Sequence, residues 1–147
     1  MRIVLDTNVL LSAVLKVGVC NRIVNASTEL AVFEIVTTGK QLQELRDVML
    51  RPEFKFGFMP AHADGYLSIL YNQSEFIETV PSLPAITRDP NDEYLVALAV
   101  FANVDALVSD DNHLLELGEI PAGGRAIPVR TSRQFLTYLE KNNLLEG

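Results

Sequence analysis

Hydrophobic positions along the chain follow two alternating rhythms. Ile3-Val4-Leu5 is an uninterrupted apolar run that reads as a buried strand, and Asp6-Thr7-Asn8 ends it. Val9-Leu10-Leu11 and Ala13-Val14-Leu15 then recur at helical spacing, and a second helix is expected over residues 21–27. Residues 32–38 read as a strand punctuated by Gly39. A helix follows to about Leu50, where Arg51-Pro52 closes it, because the residue before a proline disfavours helical backbone. Residues 62–74 read as helix and 76–80 as strand, and Pro81, Pro84 and Pro90 mark a loop. A helix over 92–103, a short strand over 106–109, a helical turn over 114–117, a strand over 126–130 and a helix over 132–141 complete the series.

Strands that alternate with helices predict an α/β fold, a central parallel sheet covered by helices on both faces, in one domain spanning residues 1–147. The stretch 94–102 is apolar almost all round, which predicts burial against the sheet and another helix. In doubly wound folds ligands sit beyond the carboxyl ends of the strands. Residues directly after strands therefore become the first candidates for chemistry.

Composition adds limits. The apolar fraction is 48% and the charged fraction 21%, ordinary for a globular protein. Cys20 is the one cysteine, so the chain builds no disulfide framework and no cysteine-based zinc site, and a reducing cytoplasm fits. The start is not that of a signal peptide, and no apolar stretch approaches the roughly 18 residues of a membrane span. Net charge is −7, from 12 Lys+Arg and 19 Asp+Glu, which argues against general electrostatic attraction to nucleic acid. A metal that neutralises clustered acids weakens that objection.

Four acids stand out, each with a plainer alternative. Asp6 follows the first strand, either as a helix N-cap or as a carboxylate presented at a strand end, with Asn8 two residues on to orient it. Glu44 lies at the edge of the helix face formed by Leu42, Leu45, Val48 and Met49, and on pattern alone it is a solvated helix glutamate. Asp92, in Asp89-Pro90-Asn91-Asp92-Glu93, suits the first helical turn after an Asp89 cap, yet three acids in five residues exceed what one cap needs. Asp111 follows Ala106-Leu107-Val108 within Ser109-Asp110-Asp111-Asn112-His113; adjacent carboxylates repel unless solvent or a cation relieves them. His113 and His62 form no recognised zinc pattern, Arg51 and Lys55 read equally as helix-end charges or phosphate contacts, and no phosphate-binding glycine motif is present.

These segments together resemble the PIN-domain family, and more closely its branch of toxin components of toxin–antitoxin pairs. The resemblance is carried by Ile3 to Leu10, Glu44 to Pro52, Asp89 to Leu95, Leu107 to Leu115 and the closing strand and helix from Ile127 to Leu139. It implies a three-layer α/β/α, Rossmann-like fold and metal-dependent ribonuclease activity. It further implies one or two Mg²⁺ or Mn²⁺ ions held by Asp6, Glu44, Asp92 and Asp111, with Asn8 and Ser109 as small polar neighbours. RNA as substrate and an antitoxin protein as partner follow by the same resemblance, and a homo-oligomer is compatible with it. Two departures stand out. Ser109 replaces a more usual Thr, and His113 replaces a common Asp, which leaves fewer carboxylates for a second metal; Asp110 partly compensates.

Hard divalent cations prefer oxygen ligands, which is why such a site is built from carboxylates. Two other classes remain open at this stage. A metal-dependent phosphatase or phosphoacceptor domain would use Asp6, but no second acid follows in a DxD arrangement and Lys141 comes too late. A catalytically silent interaction module would keep the fold and bind a partner protein.

Overall fold

Ile3, Val4 and Leu5 are fully shielded from solvent. Strand β1 (Arg2–Leu5) achieves this by pairing on both sides and packing on both faces. The structure is a computed structural model that describes residues 1–54, 59–80 and 90–145, the side chains of 54 and 90–92 excepted. After β1 the chain runs through α1 (Thr7–Leu15), α2 (Val19–Thr28), β2 (Glu34–Thr38) and α3 (Gly39–Met49). A 3₁₀ turn (Pro52–Phe54), α4 (Pro60–Gln73) and β3 (Glu75–Ile77) follow. The remainder is α5 (Pro90–Ala102), β4 (Ala106–Val108), α6 (Asn112–Leu115), β5 (Glu119–Ala122), β6 (Arg125–Arg130) and α7 (Ser132–Lys141).

The strands order as β3-β2-β1-β4-β6-β5, all neighbours parallel except the antiparallel pair β5 and β6. Side chains alternate across the pleat, as the period of two requires. Ile3, Leu5, Ile35, Ala106 and Val108 face the layer of α1, α2, α3, α4 and α7. Val4, Val36 and Leu107 face α5 and α6. The result is the expected three-layer α/β/α arrangement. No single helix among the described residues is long and apolar enough to cross a membrane.

Three differences from the sequence reading have local causes. The hairpin partner β5 is absent from that reading because only Ile120 of its four residues is buried and Pro121 interrupts it; it pairs along an edge, where a proline is tolerated. Gly123 and Gly124, which join it to β6, adopt φ of +55° and +89°, a turn that glycine permits at no steric cost. Strands β2 and β3 are shorter than their apolar runs. Pairing with β1 begins at Glu34, and β3 loses its partner where β2 ends at Thr38. The expected cap Asp89 lies outside the described residues.

Connections from β1 lead through β2 to β3 on one side, and β4 then joins β1 on the other. The gap between β1 and β4 is thus the switch point, where doubly wound folds place their ligands.

Candidate active site

Two of the expected acids meet at this switch point. The Asp6 backbone N–H donates to the Val108 carbonyl at 2.9 Å, so Asp6 is held at the very end of β1 against β4. Its side chain is only 4% exposed. Oδ1 accepts the Asn8 backbone N–H at 3.3 Å, which caps α1, and Oδ2 accepts the Ser109 hydroxyl at 2.7 Å. Ser109 is itself fully buried, and its Oγ accepts the Asp111 backbone N–H at 2.9 Å. One hydroxyl therefore ties both acids to one point. Asp111 caps α6 through a 2.7 Å bond from the His113 N–H and keeps a third of its side chain exposed. The capping role weighed for Asp6 is real, Asp111 caps α6 without having been expected to, and each leaves acceptor capacity unused.

Burial pushes the Asp6 carboxyl above its ordinary pKa, and the charge of Asp111 adds to the rise. The Ser109 hydroxyl and the Asn8 and Thr7 backbone N–H groups oppose it. A desolvated carboxylate beside a second acid is an environment that a cation relieves.

Glu44 comes to the site on a helix rather than a strand end. The buried stripe of α3 is Gln41, Leu45 and Met49, while Leu42 and Val48 are half-buried, so the helix is rotated from the face the sequence suggested. Gln41 has no exposed surface. Its Oε1 accepts the Thr37 hydroxyl at 2.6 Å, and its Nε2 donates to the Leu5 carbonyl at 2.7 Å and to Thr7 Oγ1 at 3.4 Å. Thr7 Oγ1 lies 3.2 Å from the Tyr94 hydroxyl. Burial raises the Tyr94 phenol pKa; the Thr7 bond opposes this, and the neighbouring Glu44 and Asp6 carboxylates reinforce it. Tyr94 thus lies near both the Glu44 and the Asp6 carboxylates. Asp92 lies in the first turn of α5, two residues before Tyr94, which reaches Thr7; the Asp92 side chain is outside the described residues.

The supporting residues divide. Asn8 is exposed at the mouth, and His113 is exposed with Nδ1 3.9 Å from Asp111 Oδ1. Asp110 turns to α7, where its two oxygens accept the Ser132 N–H at 2.9 Å and hydroxyl at 2.7 Å. Among the described residues, no three His, Cys, Asp or Glu side chains gather closely enough to hold a metal ion. The donors brought together, the buried Asp6 and the partly exposed Asp111, are anionic oxygen donors, which fits a hard divalent cation. Beside Glu44 an open groove of about 350 Å³ is lined by Lys40, Gln43, Asp47, Val48 and Arg51, and the Lys40 ammonium lies 4.6 Å from the Tyr94 ring centre.

Gln41, Thr7, Tyr94 and Lys40 are absent from the sequence-based site. The available signal for Gln41 was its i, i+4, i+8 spacing with Leu45 and Met49, which puts an amide on the buried stripe.

Two acids at the switch point of a doubly wound sheet, Asp6 buried and Asp111 partly exposed, define an α/β/α domain with a candidate cation site. The chain belongs to the PIN domain family, whose model matches residues 2–113, a span that contains all four acids. PIN domains are generally nucleases, and the family generally uses divalent metals. Comparison with curated proteins finds no match. Among solved structures, the chain is similar to one in the crystal structure of VapBC2 from Rickettsia felis bound to a DNA fragment from their promoter. The TM-score is 0.57 at 17% identity, over 89% of this chain and 98% of that one, a likeness of fold.

Proposed function

We propose that the protein is a divalent-cation-dependent endoribonuclease and the toxin component of a toxin–antitoxin pair. The observation that carries the reading is the pair Asp6 and Asp111, joined through the buried Ser109 hydroxyl at the switch point. Membership of the PIN domain family supports the nuclease class. Similarity of fold to a chain of the VapBC2 complex supports the partner, an antitoxin protein.

Asp6 and Asp111 are assigned as primary ligands of Mg²⁺ or Mn²⁺, Asp92 as a further ligand, and Glu44 as a ligand or as acceptor of the proton from the attacking water. When bound, the cation would supply Lewis acidity toward the phosphoryl oxygens and lower the pKa of its bound water, so that a neighbouring carboxylate can take the proton. Ser109 holds the Asp6 carboxylate in a fixed rotamer, so the ligand is oriented in advance. Lys40 and Arg51, in the groove beside Glu44, offer cationic contacts for phosphates of an RNA strand, which a chain of net charge −7 requires locally.

Cleavage of a mixed RNA pool with Mn²⁺, Mg²⁺ or EDTA, comparing wild type with Asp6→Asn and Asp92→Asn, tests the reading. Cleavage with metal, none with EDTA and loss in both folded variants is expected. Full activity in Asp6→Asn would sink the assignment. Turnover of a small phosphate ester with RNA left intact would favour a phosphatase.

A further inference from the structure

A series of hydrogen bonds runs from α3 to the residue after Asp6 and on to α5. Thr37 donates to Gln41 at 2.6 Å, Gln41 donates to Thr7 Oγ1 at 3.4 Å, and Thr7 Oγ1 lies 3.2 Å from the Tyr94 hydroxyl. The Glu44 carboxylate neighbours that hydroxyl, and its charge helps to raise the phenol pKa. Hydrogen bonds in series polarise one another and strengthen cooperatively.

Gln41 also grips the backbone around Asp6. It donates to the Leu5 carbonyl, on the residue before Asp6, and to the side chain of Thr7, on the residue after it. A fully buried amide is costly unless its groups are satisfied, and here both its oxygen and its nitrogen have partners. Gln41 and Glu44 sit three residues apart on α3. The helix that carries one acid thus clamps the strand end that carries the other. The apolar contacts of Leu45 and Met49 hold α3 on the sheet but are non-directional. The hydrogen bonds supply the angular registration that packing lacks.

We propose that Gln41, Thr7 and Tyr94 are positioning residues that set the separation and orientation of Glu44 relative to Asp6. The inference rests on the reading of these acids as cation ligands. None of the three positioning residues needs to touch the cation or the substrate.

The test uses the whole chain with Tyr94→Phe and Gln41→Met, and reads three quantities: Mn²⁺ affinity by calorimetry, melting temperature in EDTA, and kcat and KM for RNA cleavage. Tyr94→Phe keeps the ring and its contact with Lys40 and removes only the hydroxyl. It is expected to weaken Mn²⁺ binding about 10-fold, the range found when groups that orient ligands are removed. Its kcat falls while KM is kept, and its melting temperature in EDTA stays within about 3 °C of wild type. Gln41→Met shows the same weakening with a lower melting temperature; if it does not fold, Tyr94→Phe decides alone. A merely structural role lowers the melting temperature and leaves the Mn²⁺ affinity of the folded protein unchanged. Equal Mn²⁺ affinity and kcat in wild type and Tyr94→Phe overturns the positioning role alone. A wild-type chain that binds no Mn²⁺ overturns the cation site and the positioning role with it.

Discussion

Ser109 Oγ lies 2.7 Å from Asp6 Oδ2, across the seam between β1 and β4 and 103 residues away in sequence. The same oxygen receives the Asp111 N–H, so its proton is committed to Asp6 and its lone pair to Asp111. Ser109 is fully buried and Asp6 nearly so, so loss of either partner leaves the other without a replacement inside the protein.

Removal of that hydroxyl leaves a buried carboxylate oxygen and a backbone N–H short of a partner. Ser109→Ala is expected to cost about 1–3 kcal/mol at neutral pH, measured by urea unfolding. Ser109→Thr, which keeps the hydroxyl, should retain most of that stability.

The raised pKa of Asp6 fixes the sign of a pH effect. Its carboxyl binds a proton more tightly in the folded state than at the unfolded reference of 3.8. The associated stability is complete below that reference and is lost as pH rises through the folded pKa. Without divalent cation, the stability difference between Asp6→Asn and wild type should therefore shift in favour of the variant between pH 3 and pH 7. Denaturant unfolding in EDTA across that window checks it; a constant difference contradicts the burial argument.

Cation binding reverses this penalty. A ligand that binds only the folded state at about 100 times its dissociation constant stabilises by about 2.7 kcal/mol. Mn²⁺ should raise the melting temperature of wild type, chelation should remove the gain, and Asp6→Asn and Asp111→Asn should show little of it.

Asp110 offers a contrast one residue away. Its carboxylate holds the start of α7 through Ser132. Asp110→Ala is expected to lose about 1 kcal/mol of stability and to bind Mn²⁺ as wild type does. A loss of Mn²⁺ affinity at unchanged stability would return Asp110 to the cation site.

Lys40 and Arg51 line the groove beside Glu44, and among the described residues no carboxylate pairs with Arg51. If each neutralises one phosphate of a single strand, each alanine substitution reduces the slope of log affinity against log salt by about 0.7. Anisotropy titrations of a short RNA over a salt series measure it, and an unchanged slope removes these residues from the RNA path.

Element type was legible wherever apolar spacing was regular. Ile3-Val4-Leu5 had to be a central strand because nothing in it tolerates solvent, and the α5 run had to lie against the sheet. Asp6 and Asp111 were legible for the same reason, since acids at the ends of fully apolar strands stand where a parallel sheet opens. Strand ends were less so, because a strand stops where its neighbour stops, as β3 does beside Thr38.

The sequence alone determined the alternation of strands and helices, the acids at the strand ends and the motif order that resembles a PIN domain. Tertiary structure decided which groups touch. Ser109 reaches Asp6 only because β1 and β4 are neighbours. The Thr7–Tyr94 bond exists only because α5 lies across the end of β1. Gln41 becomes a site residue only because α3 is rotated to bury residues 41, 45 and 49. Hydrophobic periodicity is a local property of the chain, whereas a directional hydrogen bond between residues far apart depends on the packing of whole elements.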